Sequence, residues 1–469
     1  RRKTKDIWIE PHGSVMKTEK TTPVFRLSSF AVFSLFLLAA CGDFMEPVES
    51  TPKPTAYEFH YWLLSKTYLF EEDLDSLPKQ GDSIQELYQS LSDKYTRYYP
   101  PSKSEAAENQ MNTSIVEGDL GLEYLVVYTD GSNGSAESSH PILISRVYVE
   151  SPAGRAGVPR YGRILTANGI DLVGESALAV YDSVVAYSNT VALDVFYDDS
   201  IYHYDLTKET VYAPTVFLDT ISGTTFITIT EFKTSTVNRE QGTFGELQAY
   251  LDSTKEETAP RVLDLRNNPG GLINQCLPAA DLFVKQGILS KRKFVSLSPD
   301  GKRIHGSYNY IAKAGDPGEN GKFIMIANKG SASCTEIFIA AVKEQGNIPL
   351  VGGTTFGKGI GQSQWKTVEG GLAVITSLEF YTPKDNSYHG KGIEPDMECD
   401  PSRACALKVI ESLYGKKSVS ASKNSKRDAI EKALLLDRSE SDSFKKPSYT
   451  GGAVDPDIHF INYPYNSQP

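Results

Sequence analysis

The chain has 469 residues, a formal net charge of −11, and 40% hydrophobic with 10% aromatic residues. At about 100–200 residues per domain, that length implies roughly two to four domains with room for sizeable cores, and the acidic balance excludes a non-specific nucleic-acid binder, which needs a positive surface. The seven histidines hold no HExxH and the five cysteines (Cys41, Cys276, Cys334, Cys399 and Cys405) no CxxC set, so zinc chemistry is not indicated and no cofactor is expected.

From Met16, the basic residues Lys17, Lys20 and Arg26 precede a short apolar run, Phe30 to Leu38. That run is well under the ~20 residues a permanent membrane helix requires, and it fits the hydrophobic region of a secretory signal. It ends in Leu38-Ala39-Ala40-Cys41, which resembles the bacterial lipoprotein box. The resemblance implies that Cys41 is lipidated and becomes the first residue of a mature chain of 429 residues, anchored in the cell envelope. Residues 1–40 are thus read as an upstream segment with a signal, and 41–55, polar and Pro-containing, as a tether.

Residues 56–112 carry two helical patterns, one around Phe59, Leu63 and Phe70. The other has Ile84, Leu87, Tyr88 and Leu91 at i, i+3, i+4, i+7 and is expected to stop at Pro100-Pro101. Residues 113–212 change to alternating strands such as LEYLVVY, ILISRVYV and VALDVFY. Between these lies SPAGRAGVPRYGRILTANGIDLVG, with a helix start at Ser151-Pro152-Ala153 and an Asn168-Gly169 hairpin. The stretch resembles a PDZ domain, although Gly162-Arg163 stands where that family usually has Gly-Asp. The resemblance implies binding of protein or peptide ends by strand addition, with Gly121 and Leu122 in the carboxylate-binding loop.

Residues 213–415 alternate strands and helices. TTFITITEF, RVLDLRNN, KFIMIAN and GLAVITSLEFYT read as strands, and the residues after Gly271 and TEIFIAAVKEQ as helices. The fold class is therefore α/β and multidomain, with βαβ units around a mostly parallel sheet. Residues 416–469 are polar and read as a tail without determined structure.

Three segments carry chemistry: DLRNNPGG (264–271), NKGSASCTE (328–336) and TTFGKGIGQ (354–362). Each has a plain reading. Ser333-Cys334-Thr335-Glu336 fits a capping box, Lys358 alone fits a solvated surface lysine, and NPGG alone fits a turn. The three plain readings are unconnected, whereas one active site accounts for all three segments. A serine hydroxyl needs a base, no histidine lies in any of them, and a lysine desolvated among Phe356, Gly357, Gly359 and Ile360 can serve once its pKa drops by roughly 2–3 units. Gln362 could orient that lysine. The N–H of Cys334 at a helix start, with Gly270 and Gly271, would supply oxyanion donors. Cys334 itself has no histidine partner in view and reads as a small packing residue.

Together the three segments closely resemble the C-terminal processing peptidases, or tail-specific proteases. So do LSDKYTRY, TITEF and YTPKDNSYHGKGIEPD, so that the resemblance covers nearly all of residues 57–400. It implies a ClpP/crotonase-like protease core with a PDZ-like domain and a small N-terminal helical domain. It also implies Ser333 as nucleophile, Lys358, 25 residues on, as base and Gln362 as its support. Glu344, 11 residues after Ser333, stands where that family often has an aspartate; on a helix it would lie ~16 Å from the serine and is read as structural. The function expected is a serine endopeptidase of envelope or unfolded proteins. The alternatives are a non-catalytic peptide-binding lipoprotein and a hydrolase of non-peptide esters. Oligomeric state is left open.

Overall fold

The computed structural model describes residues 54–126, 139–415 and 453–460; Cys41 and the rest of the signal reading lie outside them. Helix α1 (Ala56–Thr67) opens on a capping box, in which Glu58 N–H donates to Thr55 Oγ1 at 3.2 Å and Thr55 N–H to Glu58 Oε2 at 2.8 Å. A 3-10 turn (Glu71–Ser76), α2 (Ile84–Gln89), β1 (Arg97–Tyr99) and α3 (Pro101–Asn112) follow. The Pro100-Pro101 pair therefore starts a helix instead of ending one. A proline at the first helical position gives up only an N–H that would have had no intrahelical partner, and α2 has already ended at Gln89.

Residues 113–212 contain β2 (Ile115–Asp119), β3 (Leu122–Val126), β4 (Ile142–Val147), α4 (Pro152–Arg155), β5 (Arg163–Ala167), β6 (Ile170–Asp171), α5 (Ala177–Tyr187), β7 (Thr190–Tyr197), β8 (Ser200–Thr207) and β9 (Glu209–Tyr212). The main sheet runs β3-β4-β5-β7-β8 with β6 on β5, and β2 pairs with β9. The Asn168-Gly169 turn joins β5 to β6 with both residues at positive φ, 50° and 74°, as such hairpins require.

The remaining elements form two further sheets. They are β10 (Val216–Ile221), β11 (Thr224–Ile229), α6 (Gly242–Ser253), β12 (Arg261–Asp264), α7 (Ile273–Asp281), β13 (Ile288–Leu297), β14 (Arg303–Ile311), β15 (Phe323–Ala327), α8 (Cys334–Glu344), β16 (Leu350–Gly352), β17 (Ile360–Lys366), β18 (Leu372–Tyr381), β19 (Met397–Glu398), α9 (Arg403–Tyr414) and β20 (Ala453–Phe460). One sheet, β10-β11-β12-β15-β16-β19, is parallel from β11 onward. Its two faces are both covered, which is why FIMIA reads as an unbroken apolar run and why even Arg261 and Asp264, at the ends of RVLD, are buried. Leu263 and Met325 pack with Ile337, Phe338 and Ala341 of α8, and Val262, Ile324 and Ile326 with Ala406 and Ile410 of α9.

The other sheet is antiparallel over β14-β13-β18-β17, with β1 on β18 and β20 parallel to β17. Two expectations are corrected here. GLAVITSLEFYT does not join the parallel sheet: the link from β17 to β18 is a tight turn, too short for the crossover that parallel neighbours need. And within 416–469, residues 453–460 form a strand. The amino-terminal helices lie on this second sheet, with Phe59, Leu63, Leu64 and Tyr88 packing against Trp365, Ala373 and Ile375.

Candidate active site

The parallel sheet delivers the serine and the antiparallel sheet the lysine. After β15, the loop Asn328–Ala332 is pinned before α8 begins. Ser331 Oγ donates to Leu265 O at 2.9 Å and accepts Asn328 N–H at 3.0 Å, so this hydroxyl is fully occupied in holding the loop. Ser333, two residues on, is buried at the N-cap of α8 with φ 60° and ψ −117°. A non-glycine residue at positive φ is strained, and strain of this kind persists where the surroundings enforce it.

Glu336 does the enforcing. Its Oε2 accepts the Ser333 N–H at 2.8 Å, the half of the capping box in which the acidic residue reaches back to the cap. The same carboxylate takes three more donors: Lys358 N–H on Oε2 at 2.7 Å, and Gly357 N–H and Thr355 Oγ1 on Oε1 at 2.7 and 2.5 Å. Burial pushes its pKa above the usual carboxylate range, while the four donors pull the other way.

Lys358 is buried at the mouth of β17. Its Nζ donates to Gln362 Oε1 at 3.3 Å and lies 3.7 Å from the centroid of the Tyr95 ring. Burial drives its pKa well below that of a free lysine, helped by the positive charges of Arg97 and Lys94 and opposed by Asp93 and Glu336. Gln362 Nε2 in turn donates to Thr376 Oγ1 on β18 at 2.9 Å. Gln362 thus contacts Lys358, which is buried and not a solvated surface lysine.

The turn 267–271 sits against the serine. Asn268 O accepts Ala332 N–H at 2.9 Å and Thr335 Oγ1 at 3.1 Å, and its Nδ2 donates to Ile229 O at 3.0 Å. Gly270 (φ 104°) lies so close that a Cβ would fall 2.9 Å from Cys334 N and 3.0 Å from Ser333 Cβ. One expected donor is corrected: Gly270 N–H donates to Asn268 Oδ1 at 2.9 Å and is spent within the turn. Among the described residues, the N–H groups of Gly271 and Cys334 make no such bond.

Cys334 is also not a lone packing residue. It forms a disulfide with Cys276 of α7, and Cys399 pairs with Cys405. Nothing in the spacing of Cys276 and Cys334, 58 residues apart, announces that bond. Gly121 and Leu122 stand apart from the serine, at the head of β3 on a different sheet. Gly121 N–H donates to Asp119 Oδ1 at 2.5 Å and so is not free for a peptide carboxylate. Glu344 is far along α8, where its Oε2 accepts Lys384 N–H at 2.8 Å, a structural contact. The sequence reading missed the reach of Glu336 beyond capping, the Tyr95 ring and Thr376. Tyr95 lies in LSDKYTRY, a segment singled out only for its resemblance, and Thr376 carries no signal in an apolar strand.

Residues 223–399 match the model of peptidase family S41. The chain is 28% identical over 354 residues to a "Probable CtpA-like serine protease" of Staphylococcus aureus (strain COL), covering 75% of this chain. It spans 65% of the length of that relative. A protein of the same description from Staphylococcus epidermidis (strain ATCC 12228) is 26% identical over 360 residues, covering 75% of this chain and 67% of the relative. Among solved structures, the photosystem II D1 C-terminal processing protease aligns with 21% identity and a TM-score of 0.44, over 78% of this chain and 99% of that one.

Proposed function

We propose that this chain is a C-terminal processing peptidase, a serine endopeptidase working through Ser333 and Lys358, a reading supported by the family S41 match at residues 223–399 and by the CtpA-like relatives. The observation that carries the reading is the state of Lys358: a buried amine with a lowered pKa, facing an aromatic ring and an amide oxygen, and tied through Glu336 to a serine at positive φ. A general base needs such a place, because desolvation favours the neutral amine.

The chemistry follows from the groups. Neutral Lys358 takes the Ser333 hydroxyl proton as Oγ bonds to the scissile carbonyl carbon. The Cys334 and Gly271 N–H groups stabilise the resulting oxyanion. The Lys358 ammonium then gives its proton to the departing amine, leaving an acyl-enzyme. Neutral Lys358 next takes a proton from water, whose oxygen attacks the acyl carbon, and Ser333 is reprotonated as the new carboxylate leaves.

Residues 113–212 are read as a PDZ-like module for peptide ends, since β3 is an edge strand and its Tyr124 ring meets Tyr181 of α5 at 5.1 Å. The Tyr124 hydroxyl donates to Asp182 Oδ1 of α5 at 2.7 Å, so a peptide added between β3 and α5 would displace this bond. Of the remaining assignments, residues 56–112 as a helical domain and 213–415 as a ClpP/crotonase-like core rest on the resemblance to the C-terminal processing peptidases, and Cys41 as an envelope lipid anchor rests on the lipoprotein box. Two disulfides suit an oxidising compartment and leave Cys41 as the remaining cysteine.

The test compares wild type, Ser333→Ala and Lys358→Ala on an unfolded protein substrate. Cleavage lost in both variants is expected, and cleavage unchanged in either overturns the assignment. A wild type that binds peptide without cutting it would favour the non-catalytic reading.

A further inference from the structure

We infer that Asp93, from the amino-terminal helical region, is a positioning residue for Lys358, acting through Thr376 and Gln362. The inference rests on Lys358 being the base. It extends the site to a residue that lies outside both the family-matched segment 223–399 and the protease core expected from sequence.

Asp93 is nearly buried, and its carboxylate only accepts. Oδ1 takes Tyr95 N–H at 2.9 Å, and Oδ2 takes Thr96 N–H at 3.1 Å, Thr96 Oγ1 at 2.7 Å and the Thr376 hydroxyl. Because Thr376 spends its proton on Asp93, its oxygen can only accept from Gln362, and Gln362 Nε2 supplies that bond at 2.9 Å. The amide is thereby fixed with Oε1 toward Lys358 Nζ. Flipped, it would set an NH₂ against the lysine's own N–H groups and a carbonyl against an oxygen with no proton to give. With Oε1 occupying one amine hydrogen, the rotation of Nζ is restricted and the lone pair is left for the serine.

The same turn supplies a second constraint. Tyr95 lies two residues from Asp93, and its ring is the surface beneath Nζ. Thr376 N–H donates to Thr96 Oγ1 at 2.9 Å, so residues 93–96 are fastened to β18 on the side of the base. The segment is not simply packed: the Asp93 carboxylate it offers to β18 leads, through Thr376 and Gln362, toward Lys358. A structural turn that merely closed the core could use any bond to the edge of β18. This one ends on the hydroxyl that orients the base's partner.

The charged and titratable groups around Lys358 are Asp93 and Glu336, which favour its ammonium, Arg97 and Lys94, which oppose it, and the ring of Tyr95. Removing the Asp93 charge, or letting Gln362 turn its NH₂ toward Nζ, disfavours the ammonium further. The ascending limb of the pH profile then moves to lower pH while the rate plateau falls, because the amine is less well aimed.

The experiment measures kcat/KM against pH on an unfolded substrate for wild type, Asp93→Asn, Thr376→Val, Thr376→Ser and the double variant Asp93→Asn/Thr376→Val. Ser333→Ala and Lys358→Ala run alongside. Thr376→Val and Asp93→Asn are expected to lower kcat by about 10–10²-fold, to leave KM unchanged and to move the ascending limb to lower pH. Thr376→Ser, which keeps the hydroxyl, should restore both. The double variant should be no worse than the weaker single one, since both break one chain. If Lys358→Ala is inactive while Thr376→Val keeps the wild-type limb and kcat, the inference falls and the base assignment stands. If Lys358→Ala is as active as wild type, the base assignment itself falls. Should Asp93→Asn fail to fold, the Val and Ser pair at 376 decides.

Discussion

Ser333 and Lys358 are joined through a single atom: their main-chain N–H groups donate to the same oxygen, Glu336 Oε2, at 2.8 and 2.7 Å. One residue comes from the start of a helix on the parallel sheet and the other from the mouth of a strand in the antiparallel sheet. The carboxylate is thus the point where the two sheets agree on the position of nucleophile and base. A helix cap in the first turn also benefits from the helix dipole, which favours a negative group there.

Glu336→Gln tests that junction. Four donors converge on the carboxylate, and an amide can accept on only one side. At least one N–H is left facing an NH₂, at a cost of about 1–3 kcal/mol in unfolding free energy. The expected result is that loss in urea titration together with a drop of about 10²-fold in kcat. A variant with unchanged kcat would mean that Glu336 is only a cap.

How much of this was legible in the sequence depends on whether the signal is local. The capping pair Ser333 and Glu336 and the short apolar run of β15 are local signals, and the structure contains them. The second sheet was not legible, because the pairing of β13 with β18 joins segments far apart in the chain and no pattern within either specifies its partner. Pro100-Pro101 misled for a local reason: proline both ends and begins helices, and only the chain beyond shows which. Asp93, Thr376 and the partner of Cys334 act through contacts across the fold. Neither the pairing of Asp93 with Thr376 nor that of Cys276 with Cys334 is marked by the residues around either partner.

Gly270→Ala should damage chemistry more than folding. Its Cβ would stand 2.8 Å from Ala332 O and 2.9 Å from Cys334 N, at a φ of 104° that a side chain rarely takes. The added methyl crowds the N–H proposed to hold the oxyanion, so kcat should fall by about 10²-fold or more, measured by single-turnover acylation. In Gly271→Ala, by contrast, Cβ would lie 2.0 Å from Phe232 O. That change should reduce the folded yield itself.

Reduction of Cys276–Cys334 should weaken the fold near the nucleophile. The bond closes a long loop, with the cysteines 58 residues apart, and ties α7 to the first residue of α8. Loss of such a link costs about 2–4 kcal/mol. Urea unfolding of Cys276→Ala/Cys334→Ala against wild type would show it as a lower midpoint with a similar slope. The Cys399–Cys405 bond closes a short loop, with a separation of 6, and its removal should cost less.

Lys358→Met should trade activity for stability. In the native protein, burial sets the Lys358 pKa well below the unfolded value, close to about 10.4. At pH below the native value the ammonium is carried in both states, and the native state bears the full penalty of burying it. As pH rises through the native value toward the unfolded one, the unfolded chain binds more protons than the native one, so wild-type stability climbs. Methionine removes the penalty at every pH, and its thioether can rest on the Tyr95 ring. The variant should therefore unfold at higher urea than wild type at neutral pH, with the gap closing toward about pH 10. Its kcat should fall by about 10²–10⁴-fold. A variant less stable than wild type across the whole range would mean that the lysine is held by favourable contacts and not forced into the site, and the case for a tuned base would fail.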